Sequence, residues 1–260
     1  MPKDDATLSA ASVGSTAVGL TPYYQRDGIT IYHGDCREIA PRLDQADLML
    51  TDPPYGTSRY HDGVDGFDFL DLAWGKEVAV FGWPEKLCEF VATTGRPPNE
   101  WITWWAMNAG QKGFNLSGLW KETEAIAFWG NPKPFAKLKR PRGSDSRFAQ
   151  KMRQQGVSDA RGLKLDQITQ GEARLGDVWL DSSPGLGCNA HIRNHPNEKP
   201  VSIVARIIAA TTPETVLDPF MGSGTTLVAA RAEGRRAVGI EIEERYCEIA
   251  AKRLSQGVLF

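Results

Sequence analysis

Cysteine is scarce and scattered in this chain. Cys36, Cys88, Cys188 and Cys247 are the only four among 260 residues, with no Cys-x-x-Cys and no His nearby at ligand spacing. Neither a disulfide framework nor a zinc site is indicated, and the usage fits a reducing cytoplasm. The four histidines form no cluster either, so no metal is expected. No run approaches the roughly eighteen consecutive apolar residues that a membrane span needs, so no membrane partner is expected. The first residues, with Asp4 and Asp5 near the front, lack the basic start and apolar core of a secretory signal. Their Ala, Ser, Thr and Gly content reads as a disordered tail over 1–22.

A strong overall charge is also missing: 30 Lys and Arg stand against 32 Asp and Glu, net −2. The distribution is uneven, however. Lys133 to Arg174 holds 11 basic against 4 acidic residues, net +7, which leaves −9 on the remainder. A basic segment on an otherwise acidic protein is the usual footprint of a polyanion-binding face; a solvated loop region is the equal alternative. The texture changes there as well. Asn131-Pro132-Lys133-Pro134 breaks the pattern, and the stretch to Gly176 reads as an inserted, partly irregular region suited to target recognition.

On either side of that insert, short apolar runs alternate with segments of helical spacing. Strands are predicted at 29–33, 46–51, 78–82, 101–105, 124–129, 215–217 and 237–240. Helical segments are predicted at 37–43, 84–93, 201–212 and 227–233. Such alternation predicts an α/β fold with a mainly parallel, doubly wound sheet. Tryptophans 101, 104, 105 and 129 are expected to be mostly core or sheet-face residues.

Two of these strands end in acids followed by residues that stop a ladder. Ala46 to Thr51 leads into Asp52-Pro53-Pro54-Tyr55. Neither proline donates a backbone hydrogen bond, so the strand end offers a carboxylate, carbonyls without competing donors, and an aromatic ring. That combination suits gripping an exocyclic amine on a flat heterocycle, against the alternative of a Pro-Pro turn with a chance Asp and Tyr. Gly56 to Asp71, with few apolar anchors, reads as a mobile loop placed to fold over a substrate or, equally, as an ordinary surface loop.

Thr215 to Leu217 leads into Asp218-Pro219-Phe220-Met221-Gly222-Ser223-Gly224-Thr225-Thr226 and then a helix. The glycines allow close approach of a ligand to the backbone. The Gly-Lys-Ser/Thr of a phosphate-cradling loop is absent, and Leu227 stands where a dinucleotide fingerprint has its third glycine. Glu241 ends the next strand, placed to accept from ribose hydroxyls. The half-site therefore favours an adenosine-containing ligand without a pyrophosphate. S-adenosylmethionine fits, with Asp218 facing its ammonium; a structural glycine turn followed by a surface Glu is the competing reading.

Taken jointly, Asp-Pro-Pro-Tyr at 52–55, His-Pro-x-x-Lys-Pro at 195–200, the Asp218–Thr226 run and Gly-Ile-Glu-x-x-x-x-Tyr from Gly239 resemble the amino-group DNA methyltransferases. The order, with the tetrapeptide ahead of the cofactor loop, is similar to their permuted β class. The resemblance implies a Rossmann-like methyltransferase fold split into a catalytic half (23–130), the basic target-recognition insert (131–176) and a cofactor-binding half (177–260). It implies transfer of the S-adenosylmethionine methyl group to an exocyclic amine of a base flipped out of double-stranded DNA. Asp52, Pro53, Pro54 and Tyr55 would be catalytic, with Asp52 and the Pro53 carbonyl accepting the amine N–H groups and Tyr55 stacking on the base.

For the cofactor, the resemblance implies Asp218, Phe220, Gly222, Ser223, Gly224 and Thr225 around the methionine and Glu241 on the ribose. Asp35 would lie toward the adenine end, and Lys199 and Pro200 beside the methionine; a helix-start role for Lys199 is the alternative. Asp at position 52 leans toward N6 of adenine rather than N4 of cytosine, where Ser is more usual. The region after Val80 lacks a Pro-Gly-Gly turn common in better-known members and the insert is short, which leaves strong sequence specificity and a partner nuclease open. A homodimer is left open too, as are action on RNA and a binding module without turnover.

Overall fold

The computed structural model describes residues 19–54, 65–107, 123–131, 135, 139–141, 172–174, 178–182 and 198–256. Tyr55 and most of the basic insert lie outside them. Eleven strands occur among these residues: β1 (Tyr24–Arg26), β2 (Ile29–His33), β3 (Ala46–Thr51), β4 (Gly75–Gly82), β5 (Glu100–Met107), β6 (Thr123–Trp129), β7 (Lys139–Pro141), β8 (Glu172–Arg174), β9 (Val178–Ser182), β10 (Thr215–Asp218) and β11 (Arg236–Glu241). Five α-helices accompany them: α1 (Cys36–Ile39), α2 (Pro84–Thr94), α3 (Val201–Thr211), α4 (Thr225–Ala232) and α5 (Glu244–Ser255).

Nine strands form one sheet in the order β1-β2-β11-β10-β3-β4-β6-β5-β9, and β7 pairs with β8 separately. The middle of the sheet, β2-β11-β10-β3-β4, is entirely parallel. The expected architecture is therefore present, with antiparallel additions on both sides: β1 runs antiparallel to β2, and β6 to both β4 and β5. Hydrophobic periodicity reports which residues are buried and carries no strand direction, so this reversal was not readable from the runs.

The central strands read as continuous apolar stretches because both sheet faces are covered. On one face Leu48, Leu50, Ala79, Phe81, Ile126 and Phe128 pack with Ile203 and Ile207 of α3, Leu227 of α4 and Ala250 of α5. On the other, Met49, Val78 and Val80 pack with Leu87 and Phe90 of α2, while Leu217 and Ile240 pack with Ile39 of α1. Helix boundaries follow local chemistry. Pro84 opens α2 and Gly95, at φ 65°, closes it in the left-handed region. Helix α5 was not among the predicted segments, although Tyr246, Cys247, Ala250 and Leu254, its buried residues, recur at helical spacing.

The stretch after Pro54 differs from its sequence reading. Residues 55–64 lie outside the described set, but Gly66–Asp68 forms a 3-10 turn in which Phe67 is buried, and Leu70 follows it into the core. Gly66 N–H donates to the Pro54 carbonyl at 2.8 Å. A Cβ on Gly66 would meet Pro54 Cδ at 2.5 Å, so only glycine fits against the two prolines. The two ends of the intervening chain are thus fixed together beside Asp52.

Candidate active site

In the parallel block the chain steps outward in both directions, from β10 to β11 on one side and from β3 to β4 on the other. The order reverses between β10 and β3. Helices leaving adjacent strands in opposite directions open a crevice at the carboxyl ends of such strands. A cavity of about 400 Å³ lies there, within the roughly 300–1,000 Å³ usual for small-molecule sites. Its wall takes Asp35 from the start of α1, Asp52, Pro53 and Pro54 after β3, Lys199 before α3, Asp218 at the end of β10 and Phe220 after it, Gly222, Ser223 and Thr225 from the following turn and helix start, and Glu241 from β11. Residues from Asp35 to Glu241, at opposite ends of the sequence, thus share one cavity. Gly224 and Pro200 do not line the cavity: Gly224 caps α4 and Pro200 caps α3.

Two acids on neighbouring strands, Asp218 buried and Glu241 partly buried, face the cavity. Asp218 accepts from Thr51 Oγ1 at 2.8 Å and from the Phe220 amide at 3.1 Å. Burial pushes its carboxyl up to about 6, against the lowering effect of the Thr226 and Thr51 hydroxyls and the Phe220 amide. Glu241 accepts from the Gly222 amide at 2.9 Å through Oε2 and from the Glu243 amide at 2.8 Å through Oε1. Burial raises it to about 7, again against its amide donors. The glycine turn is thereby tied to the acid of the neighbouring strand. Gly222 and Gly224 take φ of 50° and 82° to make that turn.

Asp35 caps α1 through the Arg37 amide at 2.8 Å and pairs with the Arg37 guanidinium, which holds its carboxyl below the ordinary value. Arg37 lies over the Phe69 ring at 5.1 Å, and Phe69 touches Phe220, so the mouth of the cavity is bordered by aromatic faces.

Asp52 follows Thr51, the donor to Asp218. Lys199 Nζ sits 2.6 Å from Asp52 Oδ2 and 3.0 Å from Glu124 Oε2, with the Phe81 ring 5.7 Å away. Lys199, expected beside the methionine, therefore contacts the tetrapeptide itself. Burial alone would lower its ammonium, but the Asp52 and Glu124 carboxylates outweigh that and hold it protonated, above the ordinary lysine value. Neighbouring Glu198 pairs with Arg253 Nη2 at 2.8 Å, and Arg253 Nη1 donates to the Ser223 carbonyl at 2.8 Å and to its Oγ at 3.0 Å.

Glu124, Arg253 and Thr51 were missed by the sequence reading. For Glu124 a signal existed, because it is an acid at the head of an otherwise apolar strand. For Arg253 and Thr51 there was none, since one is an ordinary basic residue late in a helix and the other an ordinary strand threonine.

The family of N6/N4 methylases, described as DNA methylase, matches residues 86–252, well over half of the chain. The chain belongs to this family of DNA methylases. A type II methyltransferase of Lactococcus lactis subsp. cremoris, M2.LlaDCHI, is 27% identical over 263 residues, covering 92% of this chain and 94% of that protein. Among solved structures, the M1.HpyAVI complex with S-adenosylmethionine superimposes with a TM-score of 0.54 at 23% identity, over 88% of this chain and all of that one. The PvuII cytosine-N4-specific DNA methyltransferase gives 0.58 at 16% identity, over 93% of this chain and 92% of that one. These two likenesses show the methyltransferase fold.

The methylase uses S-adenosylmethionine to methylate an exocyclic amine of DNA. The cavity's lining is compatible with that cofactor: it offers two acids, a backbone turn kept open by glycines, and the aromatic rings of Phe69 and Phe220.

Proposed function

We propose that this methylase acts on the N6 amine of adenine. The observation that carries the reading is the position of Asp52. It directly follows β3 inside the same cavity as the two acids, one residue after Thr51, which donates to Asp218. Target and cofactor would then meet without either leaving the cavity.

The adenine amine is a weak nucleophile because its lone pair is spread into the ring. Asp52 and the Pro53 carbonyl would each accept one of its N–H groups. That leaves more electron density on nitrogen as it attacks, help that grows as charge develops on nitrogen. S-adenosylmethionine supplies the methyl group, whose bond to sulfur breaks with the electron pair staying on sulfur. The nitrogen gains the methyl and gives up one proton. Pro53 and Pro54 keep the acceptors rigid, since neither backbone nitrogen can donate into the site. Gly66, packed on both, fixes their orientation.

Asp218 and Glu241 would hold the ammonium and the ribose, and Phe220 the methionine chain. Asp35 would border the adenine end. Tyr55 would stack on the base; it lies outside the described residues. The base must leave the duplex to reach a cavity of this depth. The net +7 of residues 133–174 supports duplex DNA as the partner of the target-recognition segment. Asp rather than Ser at position 52 supports adenine over cytosine. A cytosine-N4 reading is the alternative, because the same fold serves a cytosine-specific enzyme.

The test uses methyl-deuterated S-adenosylmethionine, mixed-sequence duplex DNA and the purified protein, with digestion to nucleosides and mass spectrometry. Label in N6-methyladenine is the expected result. Label in N4-methylcytosine keeps the chemistry and overturns the choice of base.

A further inference from the structure

Glu124 is the second residue of β6, followed by five buried residues, Ala125 to Trp129. It is only 5% exposed, and Lys199 only 9%. Buried charges are costly unless paired, and a buried ion pair is often no more stabilising than apolar residues of the same shape. The contacts of Lys199 converge on the acceptor end of the cavity, on Asp52, Glu124 and the face of Phe81.

We propose that Lys199 and Glu124 are positioning residues for methyl transfer: Lys199 holds the Asp52 carboxylate in place for the target amine, and Glu124 draws off part of the Lys199 charge so that Asp52 stays a strong acceptor. The proposal rests on the reading of Asp52 as that acceptor.

The charges support this assignment. Two carboxylates and one ammonium leave this cluster net negative, facing a reaction in which positive charge moves onto the amine nitrogen. Fixed charge of the opposite sign in a water-poor site is an effective way to favour such a step. With Lys199 alone beside Asp52, the pair would be neutral and the ammonium would compete with the amine for the same carboxylate. With neither, Asp52 would lose its anchor. Lys199 stands instead between two acids, at 2.6 and 3.0 Å, so its charge is shared.

Other charged groups on the cavity wall are already engaged elsewhere. Asp218 bonds to Thr51, Glu241 to the Gly222 amide, Glu198 to Arg253, and Asp35 to Arg37. Lys199 touches Asp52 directly and Glu124 acts on it through Lys199, while Asp218 bears on Asp52 through space.

The test is single-turnover methyl transfer to DNA at saturating S-adenosylmethionine across pH, on the wild-type protein, Glu124→Gln and Lys199→Met, with cofactor affinity measured alongside. Saturation removes the titration of the cofactor-binding acids from the profile. Glu124→Gln should slow transfer about tenfold or more and keep cofactor affinity within about twofold. Its acidic limb should move to lower pH, because the full Lys199 charge now bears on Asp52. Lys199→Met should move the limb to higher pH, because a carboxylate stripped of its ammonium and facing another acid takes up a proton more readily.

Opposite movements of the two limbs support the proposal. A purely structural role would lower melting temperature and leave both limbs in place, and that result overturns it. If Lys199→Met does not fold, Glu124→Gln decides alone: an unchanged rate and limb overturn the proposal. A wild-type protein that methylates DNA while both variants match it sinks this proposal only. A wild-type protein that transfers no label removes the reading of Asp52 as well.

Discussion

Thr51 Oγ1 donates to Asp218 Oδ1 at 2.8 Å, joining the last residue of β3 to the last residue of β10 where the strand order reverses. Both side chains are buried. The bond ties the cofactor end of the cavity to the residue that directly precedes Asp52. Thr51→Val keeps the shape and removes the donor. Loss of one partner of a buried hydrogen bond costs about 1–3 kcal/mol, so denaturant unfolding should register a drop of that order. Asp218 also loses a bond to its ionised form, so calorimetry near neutral pH should show weaker cofactor binding.

The buried acids predict opposite pH trends for the free protein and for its complex. Burial places Asp218 at about 6 and Glu241 at about 7, above their ordinary 3.8 and 4.5. Between those values the folded chain holds protons that the unfolded chain has released. Their contribution to stability is therefore full below about pH 4 and is lost as pH rises through about 6 to 7. With the proposed roles of Asp218 and Glu241, cofactor binding would use the ionised forms and should strengthen over the same range. Thermal melts at pH 5.5 and pH 8 should show the cofactor-induced rise in Tm to be larger at pH 8. A larger rise at pH 5.5 would remove these acids from cofactor binding.

Gly224→Ala should loosen the cofactor turn. Gly224 takes φ of 82°, and a Cβ there would meet Ala250 Cβ of α5 at 2.8 Å. Strain of about 1–3 kcal/mol is expected, since neither the turn nor the helix can move without the other. Circular dichroism melts should show lower stability, and binding assays weaker cofactor affinity.

Arg253→Met tests the clasp between α5, the cofactor turn and the segment bearing Lys199. The side chain keeps much of its bulk but loses the Ser223 contacts and the Glu198 pair. Removing one partner from a largely buried pair costs about 3 kcal/mol or more. Cofactor affinity should fall about tenfold or more if the clasp holds Ser223 in its binding position. Unchanged affinity in a folded variant would confine Arg253 to packing.

Much of the site was legible in the sequence because it is built at strand ends. Asp52 and Asp218 each follow an apolar run and precede a proline, and Glu241 ends a run just before a helix; an acid at such a boundary has no core role. The strand carrying Asp52 and the glycine turn after β10 lie where the sequence placed them. Contacts between distant segments were not legible. Lys199, Asp52 and Glu124 come from three separate elements, and nothing in the local pattern of any one says that they meet. The strand at β6 was predicted but its antiparallel direction was not, for the same reason, and that reversal sets Glu124, near its start, beside the end of β4. Helix α5 was recoverable from its spacing. The loop after Pro54 was read as short of anchors because its Gly- and Asp-rich first part dominates, whereas Phe67, Phe69, Leu70 and Leu72 are crowded at its end.

The central claim is a division of labour within one cavity, with binding at the ends of β10 and β11 and chemistry at the end of β3. Asp52→Ala tests it most directly, with cofactor affinity by calorimetry and methyl transfer to duplex DNA measured on the same preparation. The expected result is loss of transfer with cofactor affinity kept within about threefold, the signature of an interaction made mainly in the transition state. Equal loss of both would make Asp52 part of the cavity's structure, and full retention of transfer would place the chemistry elsewhere.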